Sequence, residues 1–259
     1  MKSAECPRLS PGFSVLRFGV GRKSAAHSAI SLTQTGCKEA PIFAAEARWL
    51  RDRLDRFPAE RLSPLLNLGS SDTRFREERQ PWIAAELFRP LAARGVKVVH
   101  VDLRAAPGVD VRADLTDPAD VPRLRALRPK ALLCCNLLEH VREPARLARC
   151  ALDLIDTGGL VFVTVPFSYP HHADPIDTMY RPSPEEVARL FAGARLCEGA
   201  ILDSGLSYRD EVRARPWLLL RHLARLPLPF LSLRRWRRSM AKLYWLAAPY
   251  RITCAVLEK

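Results

Sequence analysis

Residues Pro64 to Leu103 read PLLNLGSSDTRFREERQPWIAAELFRPLAARGVKVVHVDL. Their pattern is strand, tight turn, helix, strand. Leu65, Leu66 and Leu68 form a short apolar run, which Gly69-Ser70-Ser71-Asp72 breaks. The helical pattern that follows has Pro81 near its first turn and Gly95 just past its end, the expected asymmetry. Pro90 falls inside that pattern and predicts a kink. Val96 to Val101 is a second buried-type strand, and Asp102 sits at its end. A β-α-β unit with an acid at the tip of its second strand is suited to a nucleoside. The turn brings backbone N–H groups and a helix N-terminus near the ligand, and the acid accepts hydrogen bonds from ribose hydroxyls.

Outward from this unit, strands and helices alternate. Residues 42–56 precede it as a helix with Phe43, Ala47, Leu50 and Leu54 on one face; Ile42 and Trp49 lie to one side, and a lid is the minor reading for Trp49. After Asp102, Gly108 to Leu115 reads as a third strand, 118–127 as a short helix and Lys130 to Leu138 as a fourth strand. That strand is apolar nearly throughout, as one covered on both faces must be. A helix over 142–154, a strand over Leu160 to Val165 and a helix from the capping box Ser183-Pro184-Glu185-Glu186 to about Ala192 complete the alternation. Residues 195–203 and 250–258 are the last strands. The expected fold is α/β: an open, doubly wound, mostly parallel sheet with an antiparallel last strand. Right-handed crossovers then bring Gly69, Asp102, Asp114 and Asn136 to one sheet edge, where such sheets bind ligands.

The motifs NLGSSD, HVDL, RADLTDP, NLLEHV, LIDTGGLVFVTVP and FSYPHHADPIDTMYRP together resemble the class I S-adenosylmethionine-dependent methyltransferases, a Rossmann-like family. The resemblance spans about residues 60–203 and reaches to the last strand. It implies methyl transfer with S-adenosylmethionine as cofactor. It also implies a cofactor site of Gly69, Ser70, Ser71, Asp102, Leu103, Asp114, Leu115, Asn136 and Leu137. Asp102 would bind the ribose hydroxyls, Asp114 and the Leu115 amide the adenine, and Asn136 the amino-acid end. The family's G-x-G core is altered here, with Ser71 in place of the second glycine.

The loop Ser168 to Pro182 is the acceptor-side candidate. Methyl transfer needs alignment above all, and a base only where the nucleophile must lose a proton. His172 and His171 suit that role near neutral pH, with Asp174 or Asp177 to orient them, and His140 of the Leu138-Glu139-His140 turn is a third catalytic candidate. A metal held by His171, His172, Asp174 and Asp177 is the lesser reading beside hydrogen-bonded turns, and the expected metal set is none. Oxygen is the expected acceptor atom, since Cys135-Asn136-Leu137-Leu138 does not resemble the Asn-Pro-Pro-aromatic motif of amino-group nucleic-acid methylases. The acceptor classes are a small molecule, a sugar or a lipid-linked glycan.

The formal net charge is +13 over 259 residues, with 41 Lys and Arg against 28 Asp and Glu. Such a balance attracts anionic partners. Residues 1–40 read as a disordered basic tail and 41–259 as the domain, with a basic helical insert at 206–249. The insert holds ten Lys and Arg against Asp210 and Glu211, a net +8. Within it, 233–247 is amphipathic: Leu233, Trp236, Met240, Leu243, Tyr244 and Ala247 share a face. The insert reads first as a cover packed over the acceptor side of the site. An anionic membrane surface is its second reading, and nucleic acid comes last. The seven cysteines form no C-x-x-C pair and suit a reducing compartment. No apolar run reaches the ~20 residues of a membrane span, so the expected location is cytoplasmic, with peripheral membrane contact through the insert. The rivals are a nicotinamide dehydrogenase, against which the absent G-x-G-x-x-G counts, and a non-catalytic scaffold of the same fold.

Overall fold

The computed structural model describes residues 41–117, 119–172, 176–227 and 230–259. The stretch 1–40 and Asp174 lie outside the described residues. Seven strands form one sheet: β1 (Leu65–Leu68), β2 (Val98–Asp102), β3 (Val111–Arg112), β4 (Ala131–Cys135), β5 (Leu160–Ser168), β6 (Arg195–Ser207) and β7 (Pro249–Glu258). Their order is β3-β2-β1-β4-β5-β7-β6. Neighbours among the first five run parallel, and β7 is antiparallel to both β5 and β6. The expected sheet with an antiparallel last strand is the observed one.

Side-chain alternation places a core on each face of the sheet. Leu65, Leu133 and Phe162 face one core. Leu66, Leu132 and Val161, one residue along their strands, face the other. The first core is covered by α1 (Ala44–Leu54) and by α3 (75–93), which follows the short helix α2 (Ala59–Leu62) and β1. The second lies under α4 (Asp120–Arg125), α5 (Pro144–Leu154) and α6 (Pro184–Leu190). Both faces being covered, β4 and β5 must be apolar throughout. Trp49 is buried in the first core and so packs the fold together.

Helix α3 is built of four pieces: π turns at Phe75–Arg79 and Ala84–Phe88 and α turns at Pro81–Ile83 and Arg89–Ala93. Two prolines explain the pieces. Gln80, just before Pro81, leaves helical dihedrals at φ −134°, ψ 65°, and the second π turn lies immediately before the Pro90 turn. Pro81 therefore starts the second half of the helix and not its first turn. The expected third strand, Gly108 to Leu115, shrinks to Val111–Arg112. Gly108 takes a left-handed turn at φ +78°, and the Asp110 carboxylate caps the His100 N–H instead of leaving it to the ladder. The fourth strand ends at Cys135 because Asn136 turns left-handed at φ 47°, opening the 3₁₀ turn Leu138–His140. The fifth runs beyond its expected end. Thr164 accepts the Asn136 N–H, so two residues on, the N–H that Pro166 lacks would point to the same side, past the end of β4.

The insert between β6 and β7 is helical, as expected: α7 (Tyr208–Ala214), α8 (Trp217–Arg225) and α9 (Leu233–Tyr244). A buried polar chain joins them. Tyr208 Oη lies 2.7 Å from His222 Nε2, and His222 Nδ1 lies 2.5 Å from Ser239 Oγ. Tyr250 of β7 donates to Glu211 Oε1 at 2.9 Å. None of the described helices is long and apolar enough to cross a membrane.

Candidate active site

The turn after β1 is fixed to β2 at the C-terminal sheet edge. Gly69 N–H and Ser70 N–H both donate to the Val101 carbonyl, at 2.9 and 3.0 Å. Gly69 is left-handed at φ +69°, and a Cβ there would meet Leu137 Cδ1 at 2.9 Å. Glycine thus lets β1 and the turn after β4 close together. Ser71 is also left-handed, at φ 54°. It keeps the conformation that a glycine favours, at a strain cost of about 1–3 kcal/mol for a side-chain-bearing residue.

Asp102 holds this turn from the tip of β2. Its Oδ2 accepts the Ser71 N–H at 2.9 Å and its Oδ1 the Arg104 N–H at 3.0 Å. The side chain is 13 % exposed. Each oxygen keeps a further lone pair for a ligand hydroxyl. Beneath the turn, the buried Arg76 guanidinium donates to three carbonyls: Ser70 at 2.8 Å, Ser71 at 2.7 Å and Gly108 at 2.7 Å. It clamps the glycine turn to the β2–β3 connection.

These residues enclose a cavity of about 180 Å³. Asp102, Ser71, Asn136 and His140 line it beside apolar walls that include Phe75, Ile83 and Leu137. Ser71 Oγ and Asn136 Oδ1 are buried there without a hydrogen-bond partner among the described residues. The lining thus offers a carboxylate for hydroxyls, a buried hydroxyl, a buried amide oxygen and an apolar wall. It fits a ribose next to a cationic amino-acid end, and so fits the cofactor expected above.

Of the expected cofactor residues, Gly69, Ser70, Ser71, Asp102, Asn136 and Leu137 come together at the cavity. Leu103, 61 % exposed, sits on the rim outside the lining. Asp114 and Leu115 do not line the cavity either. One Asp114 oxygen accepts from the Thr116 N–H and hydroxyl, at 2.8 and 2.7 Å, and Leu115 is buried in the second core.

Below the cavity lies a buried acid that no local motif marked. Glu46, 0 % exposed in α1, accepts the Thr164 hydroxyl at 2.6 Å, the Phe43 N–H at 3.1 Å and the Asn136 side-chain amide at 3.3 Å. Burial pushes its pKa up to about 7, and these hydrogen bonds oppose the rise only in part. In sequence it resembles an ordinary first-turn cap.

On the side expected to face the acceptor, His140 and His172 meet edge to face, with ring centroids 5.2 Å apart. His140 Nδ1 lies 2.5 Å from the Ile176 carbonyl. A carbonyl only accepts, so Nδ1 carries the proton and the neutral ring's lone pair is on Nε2. His172 Nδ1 is 3.2 Å from Asp177 Oδ2 but angled so that no hydrogen bond forms. Burial depresses its pKa to about 4, partly countered by Asp177. Asp177, fully buried and paired with Arg181 through both oxygens, is held at about 2 by that pair and by the His172 and Met179 N–H groups against the opposing cost of burial. His171 is exposed and stands outside this group. Glu139, 0 % exposed, has neither oxygen hydrogen-bonded within the described residues, and burial pushes it up to about 8. None of the lining comes from residues 206–249 among the described residues. The insert reaches this side through a chain of tilted and edge-to-face ring contacts: Trp245 with Tyr250, Tyr250 with Tyr169 and Tyr169 with His172.

Comparison with known proteins agrees with this fold. A coclaurine N-methyltransferase bound to N-methylheliamine and S-adenosylhomocysteine is similar over 83 % of this chain and 72 % of its own, with TM-score 0.51 and 16 % identity. A protein described as a sarcosine dimethylglycine methyltransferase from Galdieria sulphuraria is similar over 82 % of this chain and 84 % of its own, with TM-score 0.51 and 12 % identity. At these identities the likeness concerns the fold. No curated protein sequence matches the chain. A family model described as a methyltransferase domain matches residues 44–208, more than half of the chain. The chain therefore belongs to this methyltransferase-domain family and is a class I S-adenosylmethionine-dependent methyltransferase.

Proposed function

We propose that the enzyme methylates a hydroxyl oxygen of a small acceptor that enters beside His140 and His172. The observation that carries this reading is the adjacency of two chemistries. The acceptors for a ribose and an amino-acid end lie at Asp102, Ser71 and Asn136, and His140 lines the same cavity. An amine nucleophile needs little help in losing a proton, whereas a hydroxyl does. A cluster of two imidazoles and a carboxylate on the acceptor side therefore favours oxygen.

When bound, S-adenosylmethionine supplies a methyl group on a positively charged sulfur. The remaining work falls to the protein's own residues. Asp102 accepts from the ribose hydroxyls, and exposed Leu103 offers an apolar face to the base. Asn136 Oδ1 and Ser71 Oγ accept from the ammonium end. Leu137 and Phe75 exclude water. The His140–His172 edge orients the acceptor hydroxyl and favours loss of its proton as the new C–O bond forms. Calorimetric titration with S-adenosylhomocysteine and with NAD tests the cofactor half of this reading, and binding of NAD alone would reject it. Transfer of labelled methyl to a panel of phenols, catechols, sugars and amines tests the acceptor half. Transfer to amines alone would reject oxygen.

A second reading concerns location. Trp217, Leu220, Leu223 and Leu226 are exposed along α8, followed by Phe230, 76 % exposed, and Leu231. Arg221, Arg225, Arg234 and Arg237 are exposed around them. A basic surface with protruding Trp and Phe suits the interface of an anionic membrane. The candidate face is thus mainly α8 and the following corner, since α9 turns Trp236 and Ser239 inward to Leu226 and His222.

A further inference from the structure

We propose that Glu139, His140 and His172 form a binding site for one divalent transition-metal ion, open toward the acceptor side of the cavity. The proposal deepens the hydroxyl-methylation reading and rests on it only for the ion's catalytic use; binding of the ion stands alone. One ligand atom from each residue can be chosen so that all three lie within 4.8 Å of one another. Ligands sharing a zinc-sized ion at 2.0–2.2 Å lie roughly 3.4 Å apart in tetrahedral geometry, so the side chains need only a modest contraction. The set differs from one drawn from the loop alone: His171 is exposed, and Asp177 is committed to Arg181.

Three observations point to an ion and not to a hydrogen-bonded cluster. Glu139 is completely buried, yet both its oxygens lack a hydrogen-bond partner among the described residues. Buried carboxylates are otherwise hydrogen-bonded or paired, because their desolvation is costly. His140 donates Nδ1–H to the Ile176 carbonyl, which leaves Nε2 as a ligand atom 3.8 Å from Glu139 Oε1. Fixing one ring nitrogen on a carbonyl is the usual outer-shell support of a metal-bound imidazole. His172 has Nδ1 beside the Asp177 carboxylate, and Nε2 is left for the ion.

Two imidazoles and one carboxylate select zinc or a later first-row ion over magnesium, which prefers oxygen ligands. Three protein ligands leave a position free, as in catalytic sites. His140 lines the cavity, so that position faces the acceptor. An acceptor hydroxyl bound there would lose its proton more readily, the ion stabilising the alkoxide oxygen that attacks the methyl group. The proton leaves to solvent, and the methyl–sulfur electron pair stays with S-adenosylhomocysteine.

The test is titration of metal-stripped full-length protein with Zn²⁺, Co²⁺ and Mg²⁺ alone, followed by calorimetry and, for Co²⁺, visible absorption. One equivalent of Zn²⁺ and Co²⁺ should bind, and Mg²⁺ should not. E139Q and H172A should each weaken Zn²⁺ binding at least tenfold, and H171A should leave it unchanged. No stoichiometric binding by the wild type, or equal loss in H171A and H172A, would overturn the proposal. S-adenosylhomocysteine titration of every variant reports whether the domain has folded; H172A on the loop keeps the test alive if E139Q does not fold. Metal binding without S-adenosylhomocysteine binding would reject the functional reading alone. The reverse result would reject the ion alone.

Discussion

At the scale of single residues, Asp102 and Glu46 are two carboxylates with opposite surroundings. Asp102 accepts two backbone N–H groups at the cavity rim and stays open to a ligand. D102A should therefore weaken S-adenosylhomocysteine binding by ~1–3 kcal/mol, the scale of hydrogen bonds to a charged group; unchanged affinity in calorimetry would move the ribose elsewhere. Glu46 is buried beneath the site, and its folded pKa of about 7 exceeds its ordinary 4.5. Between those values the folded protein binds more protons than the unfolded chain, so this group's contribution to stability falls as pH rises. The full effect is ~3 kcal/mol. His100, depressed to about 4 chiefly by burial, acts in the opposite direction over an overlapping range. The difference between wild type and E46Q isolates Glu46. In urea denaturation E46Q should gain on the wild type from about pH 4.5 to 7 and hold its advantage above that. A pH-independent difference would mean that Glu46 titrates normally.

At the scale of elements, Arg76 joins the glycine turn to the β2–β3 connection through three carbonyls. R76M would leave those acceptors without their donor and should cost roughly 2–4 kcal/mol of stability. R76K should recover less than half of that, since a compact ammonium cannot reproduce the guanidinium fork. S-adenosylhomocysteine affinity should fall in both variants; full affinity in R76M would show that the turn holds its shape unaided. The elements themselves were largely legible. Alternating apolar runs, the Ser183 capping box and the acid after Val101 each act within a few residues, and all were read from the chain. Asp102, Gly69 and Asn136 were legible as residues of one candidate site because strand ends converge in any parallel sheet. Arg76, Glu46 and the lack of a hydrogen-bond partner for Glu139 among the described residues were not. Their roles depend on contacts across the fold, such as Glu46 with Thr164, which no local spacing encodes. At Asp114 the turn to Thr116 occupies one oxygen, a contact that the strand-end position does not reveal.

At the scale of the whole molecule, charge and apolar surface are unevenly shared. The exposed side chains Trp217, Leu220, Leu223, Phe230 and Leu231 cluster on the insert, away from the cavity lining. The protein should sediment with vesicles containing anionic lipid at low salt and be released as salt shortens the screening length. Replacing Arg221, Arg225, Arg234 and Arg237 with Gln should abolish sedimentation while S-adenosylhomocysteine binding remains intact. Failure to sediment at low salt would leave the exposed face without a membrane role.

β7 lies between β5 and β6 in the sheet but follows both in the chain. A ribosome therefore delivers β5 and β6 first, then α7 to α9, and only afterwards the strand that joins them. Until then the β7-facing edge of β5 is bare, and β6, which among the described strands pairs with β7 alone, lacks that partner. Open strand edges are sites of wrong pairing. The nascent enzyme thus carries this hazard from the synthesis of β5 until β7 emerges, the interval that chaperones have to cover. Chains stalled with β7 inside the exit tunnel should be cut by protease within β6, and chains with β7 released should resist.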